Sequence, residues 1–261
     1  MFVSSRDLGD YTVRATDGPI GRITEIYFDD WSWVIKYLVV DLGHGLSVLV
    51  PPKAIAKLNT NNRVIQLTFT KKQLQQSEPS YMHKPVARQH PIDYSILFGW
   101  PPLGGSFAVH DVGDHPSTLN GPAVSEREKG VSPEESFRLG NDARLRTTSV
   151  VGKYHIMALD GEIGHVEGFL FDDEALTIRY AVADTRNWWP GKKVLLPTAL
   201  IICISWAEGN AYVGISRERI VHAPEFDEKQ PVTREYEAKL FAYYERLPYW
   251  QPHRAVANQP V

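Results

Sequence analysis

The chain has 261 residues, of which 43% are hydrophobic, so it can bury an extensive core and is not a disordered polypeptide. Its 28 Lys and Arg residues are balanced by 31 Asp and Glu residues, and the net charge of −3 excludes a globally basic nucleic-acid-binding protein. The single cysteine, Cys203, excludes an internal disulfide and a cysteine-rich zinc site.

The N-terminal segment is charged, and the first half of the chain then alternates short strand-like segments with turns. Arg6 and Asp7 interrupt the N-terminus, and no stretch reaches the roughly 20 apolar residues that span a bilayer, so we expect a cytoplasmic protein without a transmembrane segment. Turns are predicted at Asp17-Gly18 and at Asp29-Asp30. The predicted strands of this half are residues 11–15, 34–40, 48–50 and 64–69.

The two halves of the chain are related by an internal repeat. Residues 6–41 align without a gap to residues 149–184, and 14 of these 36 positions are identical. The shared residues include Asp-Gly-x-Ile-Gly beginning at Asp17 and Phe-Asp-Asp beginning at Phe28. After Asp41 the offset rises from 143 to 146, because the second copy carries three extra residues there. Agreement of this extent predicts two copies of one fold.

The segment between the two copies differs from both in composition. Residues 103–148 are rich in Gly, Pro, Ser, Asp and Glu and lack periodicity, which predicts a linker. The predicted units are therefore residues 1–102 and 149–250, followed by a tail at 251–261. In the second unit, Thr233 is a predicted N-cap of a helix with an apolar face.

Short strands with a turn every eight to twelve residues predict a mainly β fold in each unit. We expect two small β-barrels, because closure removes exposed sheet edges, and each barrel is expected to be followed by a C-terminal helical arm.

The motifs of both copies resemble the PRC-barrel family. The resemblance rests on Asp-Gly-x-Ile-Gly, on Phe-Asp-Asp, on a strand ending in Val-x-Asp, and on a strand ending at Pro51 or Pro197. The family includes the cytoplasmic domain of the photosynthetic reaction-centre H subunit and the C-terminal domain of the ribosome maturation factor RimM. This chain is most similar to bacterial proteins with two PRC barrels.

The resemblance implies a protein that binds other macromolecules. Together with the repeat and the lack of a catalytic set, it leads us to expect a non-enzymatic binding or scaffold protein with protein partners, and two copies of one surface are also compatible with a homodimer. Two alternatives stay open. One is an RNA- or ribosome-associated factor like RimM, and the other is an accessory protein of a photosynthetic or electron-transfer membrane complex.

A search for catalytic and ligand-binding motifs gives no convergent set. The paired aspartates at Asp29 and Asp172 lack the spacing of a calcium loop and are interpreted as turn residues. No serine lies in a Gly-x-Ser-x-Gly elbow, and no glycine-rich loop has a phosphate-binding pattern. Cys203 lies in an apolar run and is expected to be buried. We therefore predict no catalytic residues, metal or cofactor.

One segment combines large aromatic side chains with cations and is the candidate partner-binding site. It lies at the three-residue insertion of the second copy, where indole rings and basic groups resemble an interface hot spot. The same composition fits base stacking on nucleic acid or simple packing at one end of a barrel. Its residues are Arg186, Trp188, Trp189, Lys192 and Lys193.

Overall fold

The computed structural model describes residues 1–75, 144–185 and 191–251. The first half contains seven strands, a short 3-10 helix at Asp7–Asp10, another at Pro52–Ala54, and one short α-helix. These elements are β1 (Phe2–Ser4), β2 (Thr12–Ala15), β3 (Gly18–Asp29), β4 (Ile35–Gly43), β5 (Leu46–Val50), β6 (Ile55–Asn59), β7 (Val64–Leu67) and α1 (Lys71–Gln75).

The second half repeats this order of elements and adds a longer helix after them. A 3-10 helix at Thr198–Leu200 matches the one at Pro52–Ala54 in the first half. The elements are β8 (Leu145–Thr147), α2 (Thr148–Val151), β9 (His155–Ala158), β10 (Gly161–Asp172), β11 (Thr177–Asp184), β12 (Lys193–Pro197), β13 (Ile201–Ser205), β14 (Asn210–Val213), α3 (Arg217–Val221) and α4 (Arg234–Tyr244).

The strands form two mixed seven-stranded sheets of the same topology. One sheet has the order β5-β4-β3-β2-β7-β6 and the other β12-β11-β10-β9-β14-β13. In both sheets the pairs are antiparallel except one, which is β2 with β7 and β9 with β14. The prediction of a mainly β chain with two copies of one topology is confirmed. The sheets of the described residues are not closed into barrels.

Each sheet is completed by a strand from the other half of the repeat. Strand β1 pairs with β10, whereas β8, its equivalent at an offset of 143 residues, pairs with β3. The registers correspond: Val3 lies opposite Phe171, and Arg146 lies opposite Phe28. The two halves therefore exchange equivalent strands reciprocally, in the manner of a swapped dimer within one chain.

The aspartate of each Asp-Gly motif connects the hairpin turn to the helix that follows the last strand of the same sheet. Asp17 Oδ1 accepts a hydrogen bond from the backbone N–H of Lys71 at 2.9 Å, where α1 begins. Asp160 Oδ1 accepts one from the N–H of Arg217 at 2.7 Å, where α3 begins. Since free N–H groups at a helix start need acceptors, the repeated aspartate fixes the position of the helix against the sheet.

In each pair of aspartates, the first stabilises the turn and the second forms an ion pair at the exchanged strand. Asp29 Oδ1 accepts from the backbone N–H groups of Trp31 and Ser32, at 3.2 and 2.7 Å, as expected for a turn residue. Asp30 forms a 2.8 Å salt bridge to Arg146 of the exchanged strand β8. In the second half, Asp172 accepts from N–H groups of its own turn, and Asp173 pairs with the N-terminal ammonium beside β1.

The hydrophobic core is continuous between the halves. Phe28 and Phe169 come from different sheets, and their ring centroids are 5.5 Å apart. Trp33 stacks on Phe28 at 5.5 Å and contacts Phe169 at 6.2 Å. Aromatic contacts of this kind add to the burial of large apolar areas, so the two sheets stabilise one another.

The predicted C-terminal helix of the second half is present as α4. Thr233 is its N-cap, and its side chain accepts a hydrogen bond from the N–H of Tyr236 at 3.2 Å. The matching segment of the first half lies outside the described residues, as does the tail beyond Gln251. Residues 145–148 were assigned from the sequence to the linker, but they belong to β8 and α2. A three-residue strand is too short to give a recognisable pattern beside a segment of linker composition.

Candidate protein-binding surface

The segment predicted to bind a partner is described only in part. Arg186, Trp188 and Trp189 lie outside the described residues. The ammonium group of Lys192 donates a hydrogen bond to the carbonyl oxygen of Ala223 at 2.5 Å. The structure therefore gives Lys192 an intramolecular contact.

Lys193 likewise lies in an ion cluster of the fold itself. Its Nζ is 2.7 Å from Glu167 and 3.0 Å from Glu228, and Arg6 adds a second cation to the same two carboxylates. Burial by itself disfavours the lysine charge, but hydrogen bonds to both glutamates outweigh it and raise the pKa of Lys193. Since Arg6 follows β1, this cluster also anchors the exchanged strand.

A second candidate binding surface lies on the outer face of β9, β14 and β13, where the two halves differ at equivalent positions. Tyr212 on β14 pairs with Met157 on β9 and with Cys203 on β13, so three side chains form a row across the sheet. Met157 and Cys203 have apolar side chains, Tyr212 has an aromatic ring, and Cys203 is exposed. Such a row on an outer face is unusual because solvated sheet faces are normally polar.

The first half has a polar row at the same place. Gln66 on β7 pairs with Arg14 on β2 and with Lys57 on β6, and these residues also line a shallow groove. The two rows occupy equivalent positions in sheets of the same topology, so the first half shows which side chains this face can carry and still fold. Since the same sheet carries Arg14 and Lys57 in one copy, the apolar row of the other copy is not required by the fold.

Two further exposed apolar side chains lie on β13 and directly after it. Ile202 is 64% exposed and Trp206 is 69% exposed, and the first half has Ala56 and Thr60 at the equivalent positions. We name Met157, Ile202, Cys203, Trp206 and Tyr212 the edge patch. Clustered apolar exposure of this kind marks an interaction surface, whereas single exposed apolar residues carry no such meaning.

Strand β13 lies at the edge of its sheet. Within the described residues β14 is the strand paired with β13, and a bulge at Ile202 interrupts the pairing. Strand β6 of the first half has the same position, a bulge at Ala56 and the same pattern of exposure. Lys57 on β6 is the kind of residue that protects an edge from pairing, and Cys203 replaces it on β13.

The prediction of a buried Cys203 is wrong. The thiol is exposed because the apolar run of Ile201–Ser205 is a bulged edge strand and not a central strand. Partial desolvation is the main reason that the pKa of Cys203 is raised, and the carboxylates of Glu208 and Asp30 add to the rise. Asp30 lies in the β3–β4 turn of the first half.

That turn carries another exposed indole. Trp31 follows Asp30 and is 68% exposed, and the guanidinium of Arg144 lies 5.3 Å from its ring centroid. Its equivalent in the second half is Glu174. The two equivalent turns therefore differ, because one carries an exposed indole and the other a carboxylate.

A buried carboxylate, that of Glu237, is held by hydrogen bonds and an ion pair between α4 and its neighbours. Glu237 is 2% exposed and accepts hydrogen bonds from the hydroxyl groups of Tyr180 at 2.6 Å and Tyr249 at 3.1 Å. Arg234 completes the charge pair at 3.0 Å. Desolvation, followed by the hydrogen bond to Glu237, raises the pKa of Tyr180. All four side chains are engaged with each other, so the cluster fixes α4 on β11.

Two other kinds of functional feature are absent from the described residues. No three His, Cys, Asp or Glu side chains of the described residues gather into a metal-binding group. In the same part of the chain, no helix has the length and apolar character needed to cross a membrane. Comparisons of the chain with known protein families and with curated proteins found no match.

The edge patch could have been recognised in the sequence. The repeat alignment already places Ile202 and Cys203 against Ala56 and Lys57, and Trp206 against Thr60. What the alignment does not reveal is the exposure of these positions, because an apolar strand has the same composition in a core and at an edge.

Proposed function

We propose that the protein is a non-enzymatic, protein-binding scaffold built from two PRC-barrel-like units, and that the edge patch is its docking surface. The repeated topology supports two related units, and the reciprocal strand exchange supports a rigid frame that presents both together. The single observation that carries the proposal is the contrast between equivalent faces, one polar and one apolar.

The contrast favours a protein partner over nucleic acid. A nucleic-acid site needs cations that neutralise phosphates, and no member of the edge patch is charged. The nearest carboxylate on the second half is that of Glu208, which accepts a hydrogen bond from the Tyr212 hydroxyl at 2.6 Å. An apolar surface with two aromatic side chains at its border and centre has the composition of a protein interface.

The sole cysteine provides a direct test, because a photoreactive group can be attached to Cys203 without other changes. We expect benzophenone maleimide on Cys203 to cross-link a discrete polypeptide when the labelled full-length protein is irradiated in an extract of the cells that produce it. The matched control carries the label at the equivalent position of the first half, in a Lys57→Cys, Cys203→Ser variant. The same cross-links from both positions would contradict the proposal.

A further inference from the structure

We propose that the edge patch binds a second copy of this chain, with β13 of one molecule pairing antiparallel to β13 of the other across a two-fold axis. This inference rests on the proposed function and names the partner of the same surface. It is argued from the sheet edge, from the charge pattern and from the way in which the two halves already join.

The edge of the second sheet is suited to receive a strand. Strand β13 ends the sheet order of the described residues, and its backbone has one strand neighbour there, β14. An edge strand exposes N–H and C=O groups that can pair with another strand. Ile201, Ile202 and Ile204 all have apolar side chains. Two antiparallel copies of the strand therefore place apolar side chains next to each other, so the strand is complementary to itself.

Charge allows this pairing on the second half and opposes it on the first. Strand β13 has no charged residue, so a two-fold axis at its centre brings no like charges together. On β6 the same operation would bring Lys57 close to Lys57 of the other molecule, and Arg14 adds a second cation nearby. Like charges directly opposite each other destabilise a strand pair. The asymmetry therefore selects one of the two equivalent edges.

The proposed contact also continues the construction of the molecule. The two halves are already joined by strand addition across a pseudo-two-fold axis, with β1 on β10 and β8 on β3. A two-fold pair of β13 strands extends the same sheet across a second axis. Each contact of an isologous interface is made twice, so a small patch contributes twice to affinity.

The test uses the purified full-length protein and measures its mass by analytical ultracentrifugation over a range of concentrations. We expect a monomer–dimer equilibrium in the unaltered protein. The Ile202→Ala, Cys203→Lys variant installs the residues that the first half carries at the same positions, and we expect it to weaken dimerisation by about tenfold or more. Leu247→Ser, which removes another exposed apolar side chain outside the patch, should leave the equilibrium unchanged.

Cross-linking shows whether the dimer uses the proposed edge. Opposed residues of an antiparallel pair have Cα atoms about 4.5–5.5 Å apart, so a short bismaleimide should join Cys203 to Cys203. The Lys57→Cys, Cys203→Ser variant should give no cross-linked dimer. A protein that stays monomeric at high concentration, or a dimer that persists in the double variant, overturns the inference. If the labelled Cys203 then captures a different polypeptide, the proposed function still holds.

Discussion

Val34 and Thr177 occupy equivalent positions of the two repeats and pair with each other in an antiparallel bridge. Around them, the N–H of Ile35 donates to the carbonyl of Leu176 at 2.9 Å, and the N–H of Ile178 donates to the carbonyl of Trp33 at 2.8 Å. Equivalent residues can pair only where the symmetry axis passes between them, so this bridge locates the pseudo-two-fold axis.

The axis explains why the two halves form one unit. Strand exchange, the bridge and the shared aromatic core all lie across it. Among the described residues, the halves differ on the surface, as at the edge patch, and also in the core, where Ile26 corresponds to Phe169. We therefore interpret the repeat as a symmetric frame in which one outer face has acquired an apolar character.

Gly21 lies against the backbone of Asp41, as Gly164 does against Asp184, and this close approach should tolerate no added methyl group. A Cβ at Gly21 would overlap the carbonyl oxygen of Asp41, because β3 and β4 approach closely there. We expect Gly21→Ala to lower the free energy of unfolding by about 2 kcal/mol or more, measured by urea denaturation. Gly9→Ala is the control, since its Cβ would have its nearest neighbour at 4.0 Å. Equal effects of the two substitutions would contradict this explanation.

The exposed thiol should react in the folded protein. We expect Ellman's reagent to modify Cys203 fully without denaturant. Because desolvation and then the carboxylates of Glu208 and Asp30 raise the pKa of the thiol above its ordinary value of 9.0, the rate should still increase as the pH passes that value.

The Glu208→Gln variant serves as the control for this electrostatic effect. Removing that negative charge should lower the pKa of Cys203 and make the reaction faster at a given pH. A thiol that reacts only in denaturant would show that β13 is covered and would contradict the assignment of the edge patch.

The buried glutamate should depend on its tyrosine donors. Tyr180→Phe removes the 2.6 Å hydrogen bond to Glu237 and leaves the carboxylate with Tyr249 and Arg234. We expect a loss of about 1–3 kcal/mol in the free energy of unfolding, because a buried charge loses one donor. Tyr212→Phe is the matched control, since its hydroxyl bonds to the exposed Glu208, and it should have little effect on stability.

Asp160, which accepts a hydrogen bond from the first N–H of α3, should make stability depend on acid pH. The N–H of Arg217 is the main cause that lowers the pKa of Asp160, so the folded state favours the charged carboxylate. This contribution is complete above the ordinary value of 3.8 and is lost as the pH falls through the folded-state pKa. The difference in Tm between the unaltered protein and Asp160→Ala should therefore be larger at pH 6 than at pH 3. A constant difference would exclude the proposed charge effect.

The sequence predicts the repeat, the first-half strands β2, β4, β5 and β7, and the turn function of Asp29, because each depends on local chemistry or on internal identity. It does not predict the strand exchange. Residues 2–4 and 145–147 are three-residue strands, too short for periodicity, and their partners are distant in the chain. The burial of Cys203 was predicted wrongly because composition cannot distinguish an edge strand from a central one.

Amide hydrogen exchange in a protein that lacks residues 1–4 tests the reciprocal strand exchange most directly. Strand β1 covers β10 of the second half, so its removal should speed exchange in residues 161–172 and leave residues 18–29 protected. The milder substitution Val3→Ala, at a position that is 3% exposed, should give the same pattern with smaller amplitude. Faster exchange confined to residues 18–29 would show that β1 completes its own half and would contradict the account.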